Sequence, residues 1–211
     1  MLKKHAILLG IVISAVFLLT AAQTYPGGSQ ADKSSVGFSW ENNYISDLFA
    51  EKAVNNAPNT ARWWAVCGMI FFSIACSLFF VEFSKKVPDK NSARVIRYSG
   101  IAGMTFAFLI ATPLHDIMVI IATTIFLLSM FYVTVFVFRS RLHIFKYVCV
   151  LYLLSFYSTL YIYGAGGSRE FLPLIQKVLF LTTTLLILGL HYFSEAEDFK
   201  VIKARLKAEI D

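Results

Sequence analysis

The chain has 211 residues, of which 57% are hydrophobic and 15% are charged, and its formal net charge is +6. Soluble domains carry about a quarter charged residues, so this composition excludes an ordinary soluble domain and indicates a membrane protein. A basic surplus is also typical of nucleic-acid-binding proteins, but in membrane proteins it more often reflects lysine and arginine held in cytoplasmic loops. The positions of these residues decide between the two interpretations.

Apolar segments recur along the chain with the length of about 20 residues that crossing a bilayer requires. We therefore predict an all-α fold, a polytopic transmembrane bundle of six helices. Residues 1–193 form the membrane domain in this interpretation, and residues 194–211 form a cytoplasmic amphipathic tail that opens on a capping box at Ser194 and Glu197. The predicted spans cover about residues 6–23, 63–83, 97–112, 116–138, 145–163 and 172–193.

The first predicted span also resembles a secretory signal. Lys3 and Lys4 precede it, and the small residues of Ala21-Ala22-Gln23 follow it. A removed signal peptide is thus the alternative to a retained helix, and we expect the retained helix.

Lysine and arginine are distributed unequally between the two sides of the predicted bundle. The termini and the even-numbered connections hold 14 of the 19, which leaves five, including Lys177, for the opposite side. The positive-inside rule then places both termini in the cytoplasm and predicts a multi-pass protein of the cell (inner) membrane. The same bias explains the basic charge without nucleic acid, which we do not expect as a partner.

Residues 24–62 form a polar segment between the first two spans. Compact proteins seldom leave so long a segment without structure unless it is functional or disordered. We expect an ordered first outer loop that opens with the turn Tyr25-Pro26-Gly27-Gly28. Ile45, Leu48 and Phe49 share one helical face of residues 43–54, which predicts a short amphipathic helix on the membrane surface.

Three outer connections converge on this topology: the long loop, the corner Pro113-Leu114-His115-Asp116 and the turn 164–171. Ionisable groups at membrane depth are costly and usually face a bundle interior or a wet cavity, and Lys177 lies just inside the sixth span. The alternative is that a lysine near a span end reaches the headgroups by its flexible stem, and that a tight interfacial turn simply needs polar residues. The candidate ligand-binding residues are Asn43, Ser46, Asp47, His115, Asp116, Arg169, Gln176 and Lys177.

The four histidines do not indicate a metal site. His115 lies near the outer face, whereas His5, His143 and His191 lie near the inner one, about 30 Å away across the hydrocarbon. A catalytic zinc needs about three ligands together with an open position. An inner site built from the other three histidines is the alternative, but we predict no metal and no cofactor.

The segment Asn43-Tyr44-Ile45-Ser46-Asp47-Leu48 follows the first span, a polar corner separates the third and fourth, and Gln176-Lys177 opens the sixth. In these short motifs, and in span order over most of the chain, the sequence resembles the DRAM-like group of six-span membrane proteins and its uncharacterised bacterial relatives. Eukaryotic members of that group are similar to regulators or scaffolds. The resemblance therefore implies a fold and says little about a reaction.

A second, weaker resemblance concerns the run Trp40-Glu41-Asn42-Asn43-Tyr44 and the serine near it. This run is similar to the first polar segment of the transmembrane hydrolases that include the alkaline ceramidases. That resemblance implies a lipid amide or ester hydrolase with a metal or an activated water. The last span departs from the pattern, because His191 stands alone where those enzymes have paired histidines. The residues that such a hydrolase would use are Ser46, Asp47, His115 and Asp116.

Together these observations predict an integral membrane protein that binds a lipid headgroup or a small polar ligand in an outward-facing pocket, and they favour a non-enzymatic role. Its expected partners are membrane lipids and that ligand. Two alternatives stay open: an intramembrane lipid amide or ester hydrolase, and a membrane scaffold or assembly factor whose protein partners the sequence does not identify.

Overall fold

A computed structural model describes residues 2–110, 115–165 and 169–200, with side chains for 5–110, 117–164 and 169–200. Within these ranges the chain is helical and has no strands, which confirms the all-α prediction. Short 3₁₀ helices at Ile45–Phe49 and Arg169–Phe171 precede the second and sixth long helices. The long helices are α1 (Leu2–Thr24), α2 (Arg62–Ser84), α3 (Lys90–Leu109), α4 (His115–Arg139), α5 (His143–Ala165) and α6 (Leu172–Phe193).

Among the described helices, α1, α2, α4, α5 and α6 are long and apolar enough to cross a bilayer, which indicates a multi-pass membrane protein. Helix α3 differs because its first two turns carry Lys90, Arg94 and Arg97. These residues were predicted to belong mainly to a loop before a span at 97–112. They are helical because the Asp89 carboxylate accepts the Ser92 N–H at 2.7 Å and so caps the helix N-terminus earlier.

Helix α2 lies at the centre of the bundle and packs against α1, α3 and α6, while α4 packs on α3 and α5 packs on α6. Small residues allow membrane helices to approach closely. Gly68 of α2 faces Leu18 of α1, and a Cβ atom at Gly100 of α3 would lie only 2.2 Å from the Phe80 ring of α2. These contacts fix how α1 and α3 lie on α2.

Residues 25–61 fold into an ordered cap over one end of the bundle, the cap end. The predicted amphipathic helix over residues 43–54 is wrong, because only Ile45–Phe49 is helical and forms a single 3₁₀ segment. Its apolar side chains Leu48 and Phe49 are buried in a small core that includes Tyr25 and Ala61. They point into the protein, so the segment offers no apolar face to a membrane surface.

The opposite end of the bundle, here the basic end, carries the α2–α3 connection, the α4–α5 connection and the residues after α6. Lys86 donates hydrogen bonds to the carbonyl oxygens of Leu190, His191 and Ser194, at 3.1, 3.3 and 2.8 Å. The last carbonyls of a helix lack intrahelical partners and carry partial negative charge, which a lysine stabilises. Lys86 therefore joins the α2–α3 connection to the end of α6.

The predicted capping box at Ser194 and Glu197 is wrong. The Ser194 hydroxyl instead donates to the Leu190 carbonyl at 2.6 Å, within the last turn of α6. Phe199 packs against the basic end of the bundle, where it is fully buried against the rings of Phe83 and Phe136. The start of the segment after α6 thus packs on the bundle, and residues 201–211 lie outside the described residues.

The substitution Lys86→Met should lower the free energy of unfolding by about 1–2 kcal/mol, because it leaves three carbonyls at the α6 terminus without their cation. The matched control is Lys85→Met, since Lys85 forms only an exposed pair with Glu82 and such pairs contribute about 0–1 kcal/mol. Thermal unfolding in detergent measures both. Equal losses in the two variants would contradict the role of Lys86.

Candidate functional site at the cap end

Tyr25 and Gly28 hold the start of the cap against residues 54–55. Tyr25 directly follows α1, is buried, and accepts a 2.9 Å hydrogen bond from the Val54 N–H through its hydroxyl. Gly28 has a φ of +80°, and a Cβ atom there would lie 2.3 Å from the Asn55 nitrogen. Only glycine fits this conformation and this space without strain. The turn predicted at Tyr25-Pro26-Gly27-Gly28 therefore packs directly against residues 54–55.

Asn59 fastens the 3₁₀ helix to the start of α2. Its side-chain amide donates to the carbonyl oxygens of Leu48 and Ala50 at 3.1 and 2.9 Å. Its side-chain oxygen accepts the Ala61 N–H at 3.1 Å. Because a buried amide must satisfy both its donors and its acceptor, these bonds fix the position of residues 45–50 above α2.

Asn43 is fully buried at the centre of the cap. Its side-chain oxygen accepts the Ser39 N–H, and its side-chain nitrogen donates to the Gly28 carbonyl and to Asp47 Oδ2, all at 2.9 Å. The amide thus connects three parts of the cap that are distant in sequence. Its role is to hold the cap together, and none of these groups is left for a ligand.

Two residues of α6 hold the cap onto the bundle. The Ile45 N–H donates to Gln176 Oε1 at 2.7 Å. The Lys177 ammonium donates to the carbonyl oxygens of Asn43 and Pro173, at 2.5 and 2.9 Å. The lysine side chain therefore reaches up from α6 into the cap, and its charge contacts the protein backbone.

Asp47 keeps one open oxygen at this junction. Its Oδ2 atom accepts hydrogen bonds from the Tyr44 N–H at 2.9 Å and the Gln30 amide at 3.5 Å, besides the bond from Asn43. Oδ1 accepts none from the described part of the chain. Burial raises the pKa of Asp47, and the hydrogen bonds and the nearby charge of Lys177 oppose that rise. A polar ligand could thus approach Oδ1.

The open groups near Asp47 are the Tyr44 hydroxyl and the Arg169 guanidinium. Burial raises the pKa of Tyr44, the charge of Asp47 raises it further, and the charge of Arg169 lowers it. The Tyr44 hydroxyl therefore lies within the electrostatic influence of both charges. Arg169 is exposed, and within the residues that the structure describes its side chain has no hydrogen-bonding partner.

The structure brings Asn43, Asp47, Gln176 and Lys177 of the predicted site into one network, and Ser46 lies in the same 3₁₀ helix. Arg169 lies near this network through Tyr44. The side chains of His115 and Asp116 lie outside the described residues, and the backbone of both belongs to the first turn of α4.

Sequence reasoning missed Tyr44 and Gln30 as members of the site. Tyr44 could have been found, since it lies inside the Asn43 to Leu48 motif. Gln30 lies 17 residues before Asp47 in a polar stretch, and no local pattern marks it.

No protein-family model, curated protein or solved structure matches the chain. In the part of the chain that the structure describes, no three histidine, cysteine, aspartate or glutamate side chains are grouped to hold a metal ion. The geometry of the cap end is therefore the basis for a functional proposal.

The raised pKa of Asp47 predicts that the cap is more stable in mild acid. A carboxyl group that binds its proton more tightly in the folded state adds stability below its unfolded pKa and loses it as pH rises through the folded pKa. Resistance of the cap to proteolysis should thus increase as the pH falls from neutral through the pKa of folded Asp47 toward the ordinary carboxyl value of about 3.9, and Asp47→Asn should remove this dependence. Digestion with a pepsin-type and a neutral protease in parallel measures it.

The matched control for this prediction is Asp32→Asn, which changes an exposed cap carboxylate whose pKa is lowered by hydrogen bonds from Ser34. This variant should keep the acid stabilisation of the wild type. An unchanged slope in Asp47→Asn would show that another group is responsible.

Proposed function

We propose that the protein crosses the cell (inner) membrane six times, with both termini cytoplasmic and the cap outside. The Ser99 and Ser129 hydroxyls lie 2.5 Å apart, and Gly103 packs on Phe126, so α3 and α4 run antiparallel. A chain that crosses in α2 and again in α4 must cross back in α3, and this supports a sixth crossing. The excess of lysine and arginine at the basic end supports the orientation.

Thiol labelling of intact cells tests this topology. The variant Lys33→Cys places a thiol on the exposed surface of the cap, and a membrane-impermeant maleimide should label it from outside. Lys85→Cys at the basic end should be labelled only after the membrane is opened, with the wild-type chain as the background. The reverse pattern would overturn the proposed orientation.

We propose that the cap end binds a zwitterionic lipid headgroup, with its phosphate at Arg169 and its ammonium group at Asp47. The observation that carries this proposal is that Asp47 Oδ1 and the Arg169 guanidinium have no hydrogen-bonding partner within the described residues, while the charges of both groups act on the Tyr44 hydroxyl. Guanidinium groups bind phosphate through paired, charge-assisted hydrogen bonds, and a carboxylate pairs with an ammonium. A headgroup with both charges matches both open groups.

The depth of the site supports a lipid as the source of this headgroup. Trp63 and Trp64 open α2 directly beneath the cap, and their side chains are 72% and 45% exposed. Exposed tryptophans are enriched at the headgroup layer of membranes. The cap end is therefore expected to lie where lipid headgroups are most concentrated. Gln176 and Lys177 serve the site indirectly, since they hold the cap that carries Tyr44 and Asp47.

Native mass spectrometry of the protein from phosphatidylethanolamine nanodiscs tests the proposal. Arg169→Gln and Asp47→Asn should each lower the lipid-bound fraction about tenfold, because each removes a charge-assisted interaction of about 1.5–3 kcal/mol. The controls are Arg141→Gln at the basic end and Glu41→Gln on the cap, which change exposed charges outside the proposed contacts with the headgroup. Equal lipid retention in all four variants would overturn the proposal.

The same experiment separates a lipid from a soluble ligand of the same chemistry. Free glycerophosphoethanolamine should leave the bound lipid in place, since it lacks the acyl chains that add binding energy in the bilayer. Displacement at comparable concentration would assign the site to a soluble headgroup compound instead.

A further inference from the structure

We infer that the basic end carries a second lipid site, specific for anionic phospholipid headgroups, on the exposed face of α3. This face consists of Lys90, Arg94 and Arg97, which we call the α3 stripe. Residues spaced by four and three positions lie on one side of a helix, and all three side chains are exposed. The inference is independent of the proposed cap-end site, which lies at the other end of the bundle.

In the part of the chain that the structure describes, the cations of the α3 stripe have no counterions. Within the described ranges none of them forms an ion pair or a hydrogen bond, and the one contact is that of the Arg97 guanidinium, 5.9 Å from the centre of the Tyr98 ring. Carboxylates on the adjoining segment are engaged elsewhere. Glu82 pairs with Lys85 at 2.6 Å, and Asp89 accepts the Ser92 N–H as the α3 cap. The positive charge of the stripe is thus available to an external anion.

The level of the stripe in the bundle matches the headgroup layer. Gly100 of α3 packs on Phe80 of α2. Arg97 lies about one turn nearer the basic end than Gly100. It is therefore level with the last turn of α2, which ends at Ser84. Arg94 and Lys90 follow about 5 and 10 Å further out along α3. The stripe therefore starts at the edge of the apolar surface and extends away from it.

The neighbours of the stripe favour lipid over a soluble anion. Tyr98 is 64% exposed beside Arg97, and Phe138 is 45% exposed at the end of α4. An aromatic surface beside cations is typical of a membrane interface, where the rings contact acyl chains and the cations contact phosphates. Phosphate esters of anionic lipids, such as phosphatidylglycerol, supply the matching charge at this depth.

The test compares nanodiscs of phosphatidylcholine alone with nanodiscs that contain one third phosphatidylglycerol. Native mass spectrometry gives the preference for the anionic lipid in each protein. Each basic residue near an anionic surface contributes about a fivefold factor, so Arg94→Gln/Arg97→Gln should lower the preference about tenfold or more. The matched control, Lys33→Gln/Lys52→Gln, removes the same charge from the exposed cap and should keep the preference.

An equal preference for phosphatidylglycerol in the wild type and the double arginine variant would overturn the site. An equal loss of this preference in the lysine control would also overturn it, because the effect would then be due to net charge. If the arginine variant does not fold, the lipid preference of the wild type is measured at increasing salt concentration. It should fall, because charge–charge contacts with headgroups weaken as ionic strength rises. A preference independent of salt overturns the inference. Stronger displacement by inorganic phosphate than by chloride at equal ionic strength would assign the stripe to a soluble anion, which also overturns it.

Discussion

Asn43→Ala should raise the rate of amide hydrogen exchange across residues 25–61 by about a hundredfold, the largest effect expected of any single change in the cap. The substitution removes three hydrogen bonds and leaves the Gly28 carbonyl, the Ser39 N–H and Asp47 Oδ2 without this partner inside the protein. Each buried polar group left unsatisfied costs about 1–3 kcal/mol, so opening of the cap becomes easier by about 3 kcal/mol or more. Exchange in the native state reports such local opening directly.

The matched control is Asn42→Ala, which changes the neighbouring asparagine. Asn42 is only half-buried, and its side chain donates one hydrogen bond, to the Ser39 hydroxyl at 3.2 Å. Exchange in this variant should rise by less than about tenfold, since one partly exposed hydrogen bond contributes about 1 kcal/mol. If the two variants exchanged at the same rate, Asn43 would not be the centre of the cap.

Lys177→Met should detach the cap from α6 and leave the interior of the cap folded. The change removes the hydrogen bonds to the carbonyl oxygens of Asn43 and Pro173, and it removes the cation nearest the partly buried Asp47 carboxylate. Hydrogen bonds to a charged group contribute about 1.5–3 kcal/mol each, so the loss of two should cost about 3 kcal/mol. Methionine keeps the length and apolar stem of lysine, so the effect reports the ammonium group.

Two amide protons distinguish this outcome from general unfolding. The Ile45 N–H, which binds Gln176, should exchange about a hundredfold faster in Lys177→Met. The Ser39 N–H, which binds Asn43 within the cap, should keep its protection. The control Lys33→Met changes an exposed cap lysine and should alter neither. Loss of protection at Ser39 as well would mean that the cap has no stability apart from α6.

The long helices could be predicted from the sequence because hydrophobic length is a strong signal. The predicted spans and the observed helices differ by a few residues, except that α3 begins at Lys90 whereas the third predicted span begins at about residue 97. The error arose because Lys90 and Arg94 were assigned to a loop, since cations in membrane proteins usually lie outside the spans. The helix nevertheless continues past the apolar region because Asp89 caps it, and capping is a local signal independent of hydropathy.

The cap was harder to predict because its structure depends on contacts between distant residues. The apolar spacing of Ile45, Leu48 and Phe49 fits a helix, but the Asp47 carboxylate binds the Tyr44 N–H and closes a tight 3₁₀ turn instead. Hydrogen-bonding side chains of this kind compete with regular helix. The sequence indicated which polar residues of the cap end could lie together. Whether each of them holds the cap in place or stays open to a ligand depends on geometry that residue spacing does not contain.

Two kinds of residue at the cap end should respond differently to substitution. Fasteners are the residues whose hydrogen bonds hold the cap in place, and open groups are those whose polar atoms are left for a ligand. The polar side-chain groups of three residues are used to hold the cap in place: Asn43, Gln176 and Lys177. Substitution of any of them should therefore change ligand affinity only by moving Tyr44 and Asp47. Arg169 and Asp47 Oδ1 are the groups that a headgroup would contact. Substitution of a fastener should therefore increase exchange and weaken binding together, and Arg169→Gln should weaken binding alone.

The most direct test of the cap-end site is an experimental structure of the protein in a phosphatidylethanolamine nanodisc, with an antibody fragment to add mass. The proposal predicts a headgroup at the cap end, with its phosphate against the Arg169 guanidinium and its ammonium group against Asp47 Oδ1. A map that resolves lipids around the helices but none between Arg169 and Asp47 would contradict it.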